Sequence, residues 1–245
     1  MIKFFRKIRQ RLLSENKFSK YLLYAIGEIV LVVIGILIAL SINNWNETRK
    51  DRISEKNILQ DIKGSISTDI LQLNSRIEMA KNDIKSANII LNYLEKNLAY
   101  NDSLDNHFII ITSTANKDFS PQISAYKVLE SKGIDLIRND QLKKDILNLY
   151  NIDYYKLIYE FENFLRNIHD YGRPLARSLF QTSSNNSEQL PELKPLDYNS
   201  LRSNILLINT LKIIVSNDER IHTMIKELIK KCQQIETAID VELEK

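Results

Sequence analysis

Cysteine is nearly missing from this chain: Cys232 stands alone among 245 residues. A single thiol excludes an intramolecular disulfide framework and a cysteine-rich zinc site. Turn formers are scarce too, with five glycines and four prolines. Sandwiches and barrels need turn residues about every 8–12 positions, so long helices are expected instead of an all-β fold. The three histidines, His107, His169 and His222, lie far apart, and none has a His or Cys at ligand spacing. There is no P-loop, GxSxG, HExxH or dinucleotide glycine pattern. No catalytic, cofactor-binding or metal-binding residue is therefore assigned, and no cofactor is expected.

Charge is unevenly spread. Residues 1–20 hold seven cations against Glu15 alone, a net of +6, whereas residues 46–245 carry 27 cations and 29 anions. A nucleic-acid binder would carry a basic stripe on its folded domain. Here the basicity sits beside a hydrophobic run, so nucleic acid is not an expected partner.

That run is what the sequence has in place of motifs. Residues 21–42 are apolar apart from Gly27, Glu28, Gly35 and Ser41. Their 22 residues compare with the roughly 20 that span about 30 Å of hydrocarbon. Tyr21 and Tyr24 lie at one end and Trp45 at the other, where amphipathic rings favour the headgroup level. Tyr24 to Trp45 covers ~31 Å of helix. A transmembrane helix over 21–45 is the expectation. Residues 43–56 carry a net of only +1, so the positive-inside rule places residues 1–20 in the cytoplasm and the remainder outside it. In a bacterium that means an inner-membrane anchor and a periplasmic domain. The alternative is a signal peptide cleaved near Ala39-Leu40-Ser41, against which the 20-residue basic region and the length of the apolar run both argue.

Glu28 is the odd residue in this span. It lies one helical turn past Tyr24, roughly 6 Å inside the ring level, and not at the bilayer centre where a charge costs most. Three readings stand. It is a tolerated interfacial carboxylate, an assembly contact, or part of an ion path. The assembly reading has support beside it: Gly27, Leu31, Gly35 and Ala39 form one ridge, and Gly35-x-x-x-Ala39 is a small-xxx-small pair that lets helices approach. Before the span, FFRKIRQRLL groups Phe4, Phe5, Ile8, Leu12 and Leu13 near one face, with Lys3, Arg6, Lys7, Arg9 and Arg11 around the rest. A short helix lying on the anionic inner leaflet has this pattern; docking a cytoplasmic protein is the alternative use.

Residues 4–47, FFRKIRQRLLSENKFSKYLLYAIGEIVLVVIGILIALSINNWNE, closely resemble the opening of a family of uncharacterised bacterial single-span membrane proteins, classed as a domain of unknown function. Residues 119–150, FSPQISAYKVLESKGIDLIRNDQLKKDILNLY, resemble a second, looser block of it. The resemblance implies a membrane anchor and carries over no catalytic residue.

Beyond Trp45 the apolar positions fall into helical step: Leu59, Ile62, Ile66, Ile70, Leu73, Ile77, Ala80, Ile84, Ala87, Leu91, Leu94 and Leu98. Spacings of three and four alternate as a helical seam requires, except for two consecutive fours at Ile62, Ile66 and Ile70. A long stalk helix over 46–100 follows. Middle helices are expected over 101–181. The strand-like 107–115 is read as a short buried helix for want of a partner strand. Ser120-Pro121 reads as a helix start and Gly133 as a stop. Another helix runs from Asn139 or Asp140 to about Phe180, disturbed at Gly172-Arg173-Pro174. Residues 182–199 read as a loop. A terminal helix over 200–245 carries a stripe from Leu201, Ile205, Ile208, Leu211 and Val215 to Ile239, with Cys232 on it as a small core hydrophobe. Ser216-x-x-Glu219 is a capping-box pattern that predicts a kink or restart. The fold class expected is all-α, with the last helix packing back on an extracytoplasmic bundle.

One stretch outside the span has unusual composition. Residues 148–177 hold Tyr150, Tyr154, Tyr155, Tyr159, Phe161, Phe164 and Tyr171. Ordinary core packing is one reading. The other is an aromatic ligand pocket built from Tyr154, Tyr155 and Tyr159 and rimmed by Arg166, Arg173 and Arg177. For function, the sequence favours a non-enzymatic membrane-anchored interaction or sensing module. Its expected partners are the lipid bilayer and a second copy or another membrane protein. An auxiliary subunit of a transporter or channel, with Glu28 at a helix contact or ion path, is the rival, and an unrecognised hydrolase the third class.

Overall fold

A computed structural model of the chain describes residues 18–113, 118–183 and 192–245. The basic segment that holds Lys3, Arg6, Lys7, Arg9 and Arg11 lies outside the described residues. Two compact units divide the chain, Met1–Glu55 and Lys56–Lys245. Helix α1, Phe18–Glu95, contributes to both.

In the first unit, α1 carries the apolar run, and its large side chains from Leu22 to Ile42 are exposed on every face. Among the described residues this is the one helix long and apolar enough to cross a membrane, and 0% of its apolar window is buried.

The second unit is a helical bundle around one hydrophobic core. Its stretch of α1 buries Leu59, Ile62, Ile66, Leu73, Ile77, Ala80, Ala87, Leu91 and Leu94. The helix ends in a Schellman arrangement: Asn97 has φ 51, its N–H donates to the Leu94 carbonyl, and the Leu98 N–H donates to Tyr93. Asn tolerates this left-handed position better than other side chains, so the helix stops where the seam does.

A 3-10 turn, Asp102–Leu104, leads into the one-turn helix α2, Asp105–Phe108, and a second 3-10 turn, Ile109–Ile111. Phe108, Ile110 and Ile111 are buried, as expected of a strand-like run without a partner. Helix α3, Ser124–Lys132, starts later than Ser120-Pro121 predicts, and its N-cap, Ile123, makes no side-chain capping bond. The 118–123 segment is held across α1 instead, where Arg76 donates to the carbonyl and carboxylate of Asp118 at 2.8 Å. Gly133 does end α3, at φ +99, a conformation that side-chain-bearing residues rarely adopt.

Helix α4, Asp140–Asn148, is capped by Asn139, whose side chain accepts from the Gln141 and Leu142 N–H groups. It runs through a π-turn, Leu149–Asp153, into α5, Tyr154–Asn167, then through a second π-turn, Ile168–Gly172, into α6, Arg173–Leu179. Gly172 sits in the second wide turn because nothing larger fits. A Cβ there would lie 2.1 Å from the Ile111 carbonyl oxygen.

The expected loop contains structure. Strand β1, Phe180–Ser183, pairs antiparallel with β2, Glu192–Pro195, in the register Phe180↔Pro195 and Thr182↔Leu193. Phe180 and Leu193 are buried, which anchors the pair to the core; Pro195 falls at its end, where the missing donor costs least. The chain is thus all-α with one small hairpin pair added.

After α7, Tyr198–Leu201, the last helix, α8, runs Ile205–Leu243 behind an Asn204 cap whose side chain accepts from Leu207 N–H. Four cross-links set it antiparallel to α1: Lys56 to the Leu243 carbonyl, Lys63 to Asp240, Ser67 to Glu236 and Lys212 to Glu95. Two expectations fail on α8. It has no restart at Ser216, because Ile214, Asp218 and Ile221 are all buried and continue one face, so packing overrides the capping pattern. Its first turns are also rotated by one position, with Leu207 and Ile214 in the core and Ile205 exposed.

Candidate functional site

The residues singled out on the apolar run lie on the first unit's stretch of α1. Glu28 is half-buried, while Tyr24, Gly27, Gly35, Ala39 and Trp45 are exposed; the side chain of Tyr21 lies outside the described residues. A Cβ added at Gly27 or Gly35 would meet nothing within 4 Å. The ridge of small residues is therefore open. At the far end of the segment the Arg49 guanidinium lies 5.9 Å from the centroid of the Trp45 ring, a cation–π arrangement typical of Arg.

The tyrosine-rich run does not come together as one pocket wall. Tyr154 is 1% exposed, whereas Tyr155 is 65% and Tyr159 is 47% exposed. Ile152, Tyr155 and Tyr159 follow one another along the outer face of the π-turn and α5, and Tyr154 faces the core. Arg173 pairs with His169 through its ring nitrogen at 3.2 Å, and Arg177 is exposed. A cleft of about 220 Å³ on this side of the bundle is lined by Asp145, Asn148, Asp153, Lys231, Gln234 and Ile235. None of the six predicted pocket residues is among them.

What the run does build is a buried polar centre. The π-turn inserts an extra residue into the helical turn and so brings Tyr150 and Tyr154 onto the core side; such turns recur at functional positions. Tyr150 stacks on Tyr126 with ring centroids 4.5 Å apart and planes at 5°, and meets Tyr154 edge-on at 5.3 Å. Asn151 donates to the Tyr126 hydroxyl at 2.6 Å. Phe119 closes the far side of Tyr154 at 5.2 Å.

At the middle of this cluster is Asp69, 0% exposed, on α1. Its Oδ2 accepts from the Tyr154 hydroxyl at 2.8 Å and its Oδ1 from the Gln122 backbone N–H at 2.9 Å. Tyr154 Oη also lies 3.8 Å from Cys232 Sγ on α8. One carboxylate thereby ties α1 to the 118–123 segment, to α5 and, through the phenol, to α8. Burial raises the Asp69 carboxyl above its usual range, and the bonds from Gln122 and Tyr154 work against that rise. Burial also raises the Tyr154 and Tyr150 hydroxyls and pushes the Cys232 thiol up to about 12, so all three stay protonated at neutral pH. Cys232 is 0% exposed and far from the thiolate character that reactive cysteines need. The Tyr150 hydroxyl is buried without a hydrogen-bond partner.

Sequence reasoning missed Asp69, although a signal for it existed. The two consecutive four-residue steps at Ile62, Ile66 and Ile70 become four, three and four if Asp69 replaces Ile70 on the seam. The structure makes that replacement, burying Asp69 and leaving Ile70 partly exposed. Among the histidines, His107 shares a hydrogen bond with Ser86 at 3.0 Å. The His222 Nε2 is buried without a partner, and burial together with Lys226 and Lys81 lowers its pKa. Among the described residues no group of three His, Cys, Asp or Glu could hold a metal ion.

A family model described as Family of unknown function (DUF6090) matches residues 28–185. That stretch takes in most of the apolar run, the whole bundle part of α1, and the π-turns. No curated protein and no solved structure matches the chain.

Proposed function

The chain belongs to this family of unknown function, and from its own physics we propose that it is a non-enzymatic, membrane-anchored interaction or sensing module. The observation that carries the reading is the contrast of burial along α1. Large apolar side chains on all faces of residues 22–42 are exposed, although each would gain about 1.5–3 kcal/mol by leaving water. Lipid is the environment that satisfies such a surface. The basic flank then orients the chain with residues 1–20 in the cytoplasm and the bundle outside it, which for a bacterial inner membrane is the periplasm.

The open ridge of Gly27, Leu31, Gly35 and Ala39 supports self-association, because small side chains let two helices pack closely in lipid. Cross-linking tests this in intact membranes with Gly35→Cys in a Cys232→Ala background. A disulfide-linked dimer is expected under mild oxidation. A chain that stays monomeric there and in mild detergent removes the self-association.

The position of Glu28 favours one second reading, an auxiliary subunit that lays this carboxylate against a partner helix or an ion path. Glu28→Gln separates the two. Altered ion or substrate flux in cells supports the subunit role, whereas unchanged flux with weaker assembly supports the module.

A further inference from the structure

We propose that the Asp69, Tyr154 and Cys232 side chains form a proton-responsive relay that tightens the bundle when its surroundings turn acidic. This goes beyond the anchoring role and rests on the bundle alone.

The geometry allows two complete hydrogen-bonding states. With Asp69 ionised, Oδ1 accepts from the Gln122 N–H and Oδ2 accepts from the Tyr154 hydroxyl. A proton added at Oδ2 turns that oxygen into a donor. The Asp69 O–H then donates to Tyr154 Oη, and the Tyr154 hydroxyl turns to donate to Cys232 Sγ, 3.8 Å away. Oδ1 keeps the Gln122 amide throughout. One proton enters at Oδ2, the single Tyr154 hydroxyl hydrogen turns from Oδ2 to Sγ, and both carboxyl oxygens stay hydrogen-bonded. Sulfur is a weak acceptor, but it is already in place.

The groups facing Asp69 leave its charge uncompensated. Packed against it are the Gln122 amide from the 118–123 segment, the Tyr154 and Tyr150 phenols from the π-turn and α5, and the Cys232 thiol from α8. The other ionisable groups that act on this thiol, Glu236 and Asp153, are also acidic. Among the described residues, the hydrogen bonds to Asp69 come from two neutral donors, the Gln122 amide and the Tyr154 hydroxyl. A buried carboxylate held only by neutral donors takes up a proton more readily than the same group in the unfolded chain. The folded state therefore gains stability as pH falls through the raised Asp69 value, and the gain is complete below the unfolded value of 3.8.

The test is thermal unfolding of the chain in detergent micelles, followed by circular dichroism from about pH 8 to about pH 3.5, which brackets the whole titration. The unfolding midpoint of the native chain should rise as pH falls, relative to Asp69→Asn, whose amide keeps the Gln122 and Tyr154 contacts without titrating. Infrared spectra of the native chain supply a second readout. The S–H stretch of Cys232 should shift in step with the appearance of a protonated carboxyl band, and Tyr154→Phe should abolish the S–H shift while keeping the carboxyl band. Identical pH profiles for the native chain and Asp69→Asn overturn the proposal. So does an S–H band that stays fixed while the carboxyl titrates.

Discussion

Residues 22–42 and 58–94 belong to one helix, yet they solve opposite problems. The first stretch carries large apolar side chains around its whole circumference, and these are exposed; the second is apolar along a single face, and that face is buried. Helix propensity does not separate them. The distribution of apolar side chains does, because it decides whether the surroundings must be lipid on all sides or protein on one. The difference teaches that burial in the bundle is specific and sensitive to single side chains, whereas exposure along the apolar run tolerates exchange of one apolar residue for another.

The largest expected effect breaks the comparison on the bundle side. Leu73→Ala, at a fully buried seam position, should lower bundle stability by about 2–5 kcal/mol in denaturant unfolding. Leu31→Ala should leave the same transition unchanged, since Leu31 is 60% exposed and is not one of the buried core residues. A similar loss from both would show that the two stretches share one packing environment. On the anchor side, Ile34→Lys places a charge at mid-span, at a cost of about 2.5–3.5 kcal/mol. The carbonate-resistant membrane fraction should fall sharply while the bundle transition is kept.

Two glycines sharpen the contrast at a smaller scale. Gly172→Ala would put a methyl group 2.1 Å from the Ile111 carbonyl oxygen, and the strain of forcing it in should cost about 1–3 kcal/mol. Gly35→Ala meets no atom of the chain within 4 Å and should leave bundle stability unchanged. Smallest of all, Asn204→Ala removes the side chain that caps α8 and should cost about 1 kcal/mol, read as a modest shift in the same unfolding curve.

Much of this architecture was legible because helices announce themselves locally. The α1 seam, the helix start at Asn139 or Asp140 and the Gly133 stop each depend on residues within a turn or two of one another. What escaped depends on partners distant in the chain. The β1–β2 pair joins residues on either side of a polar stretch of sequence, and short strands have no periodicity to detect. Ser216 and Glu219 fit a local capping rule, but the buried Ile214 and Ile221 outweigh it. Asp69 is the clearest case: in sequence it is one acid among many, and its meaning comes from Tyr154, 85 residues away. The tyrosine run was rightly singled out as unusual, yet which of its rings face inward depends on a π-turn that no residue pattern signalled. Only Tyr154, of the six pocket residues proposed from sequence, faces the polar centre.

The central claim is that residues 22–42 cross a lipid bilayer and leave the bundle on the side away from the cytoplasm. Alkaline phosphatase, which folds to activity only outside the cytoplasm, fused behind Lys245 of the full chain tests it directly. The account predicts an active enzyme that stays with the membrane through carbonate extraction. An inactive fusion, or an active one released into the soluble fraction, would contradict it.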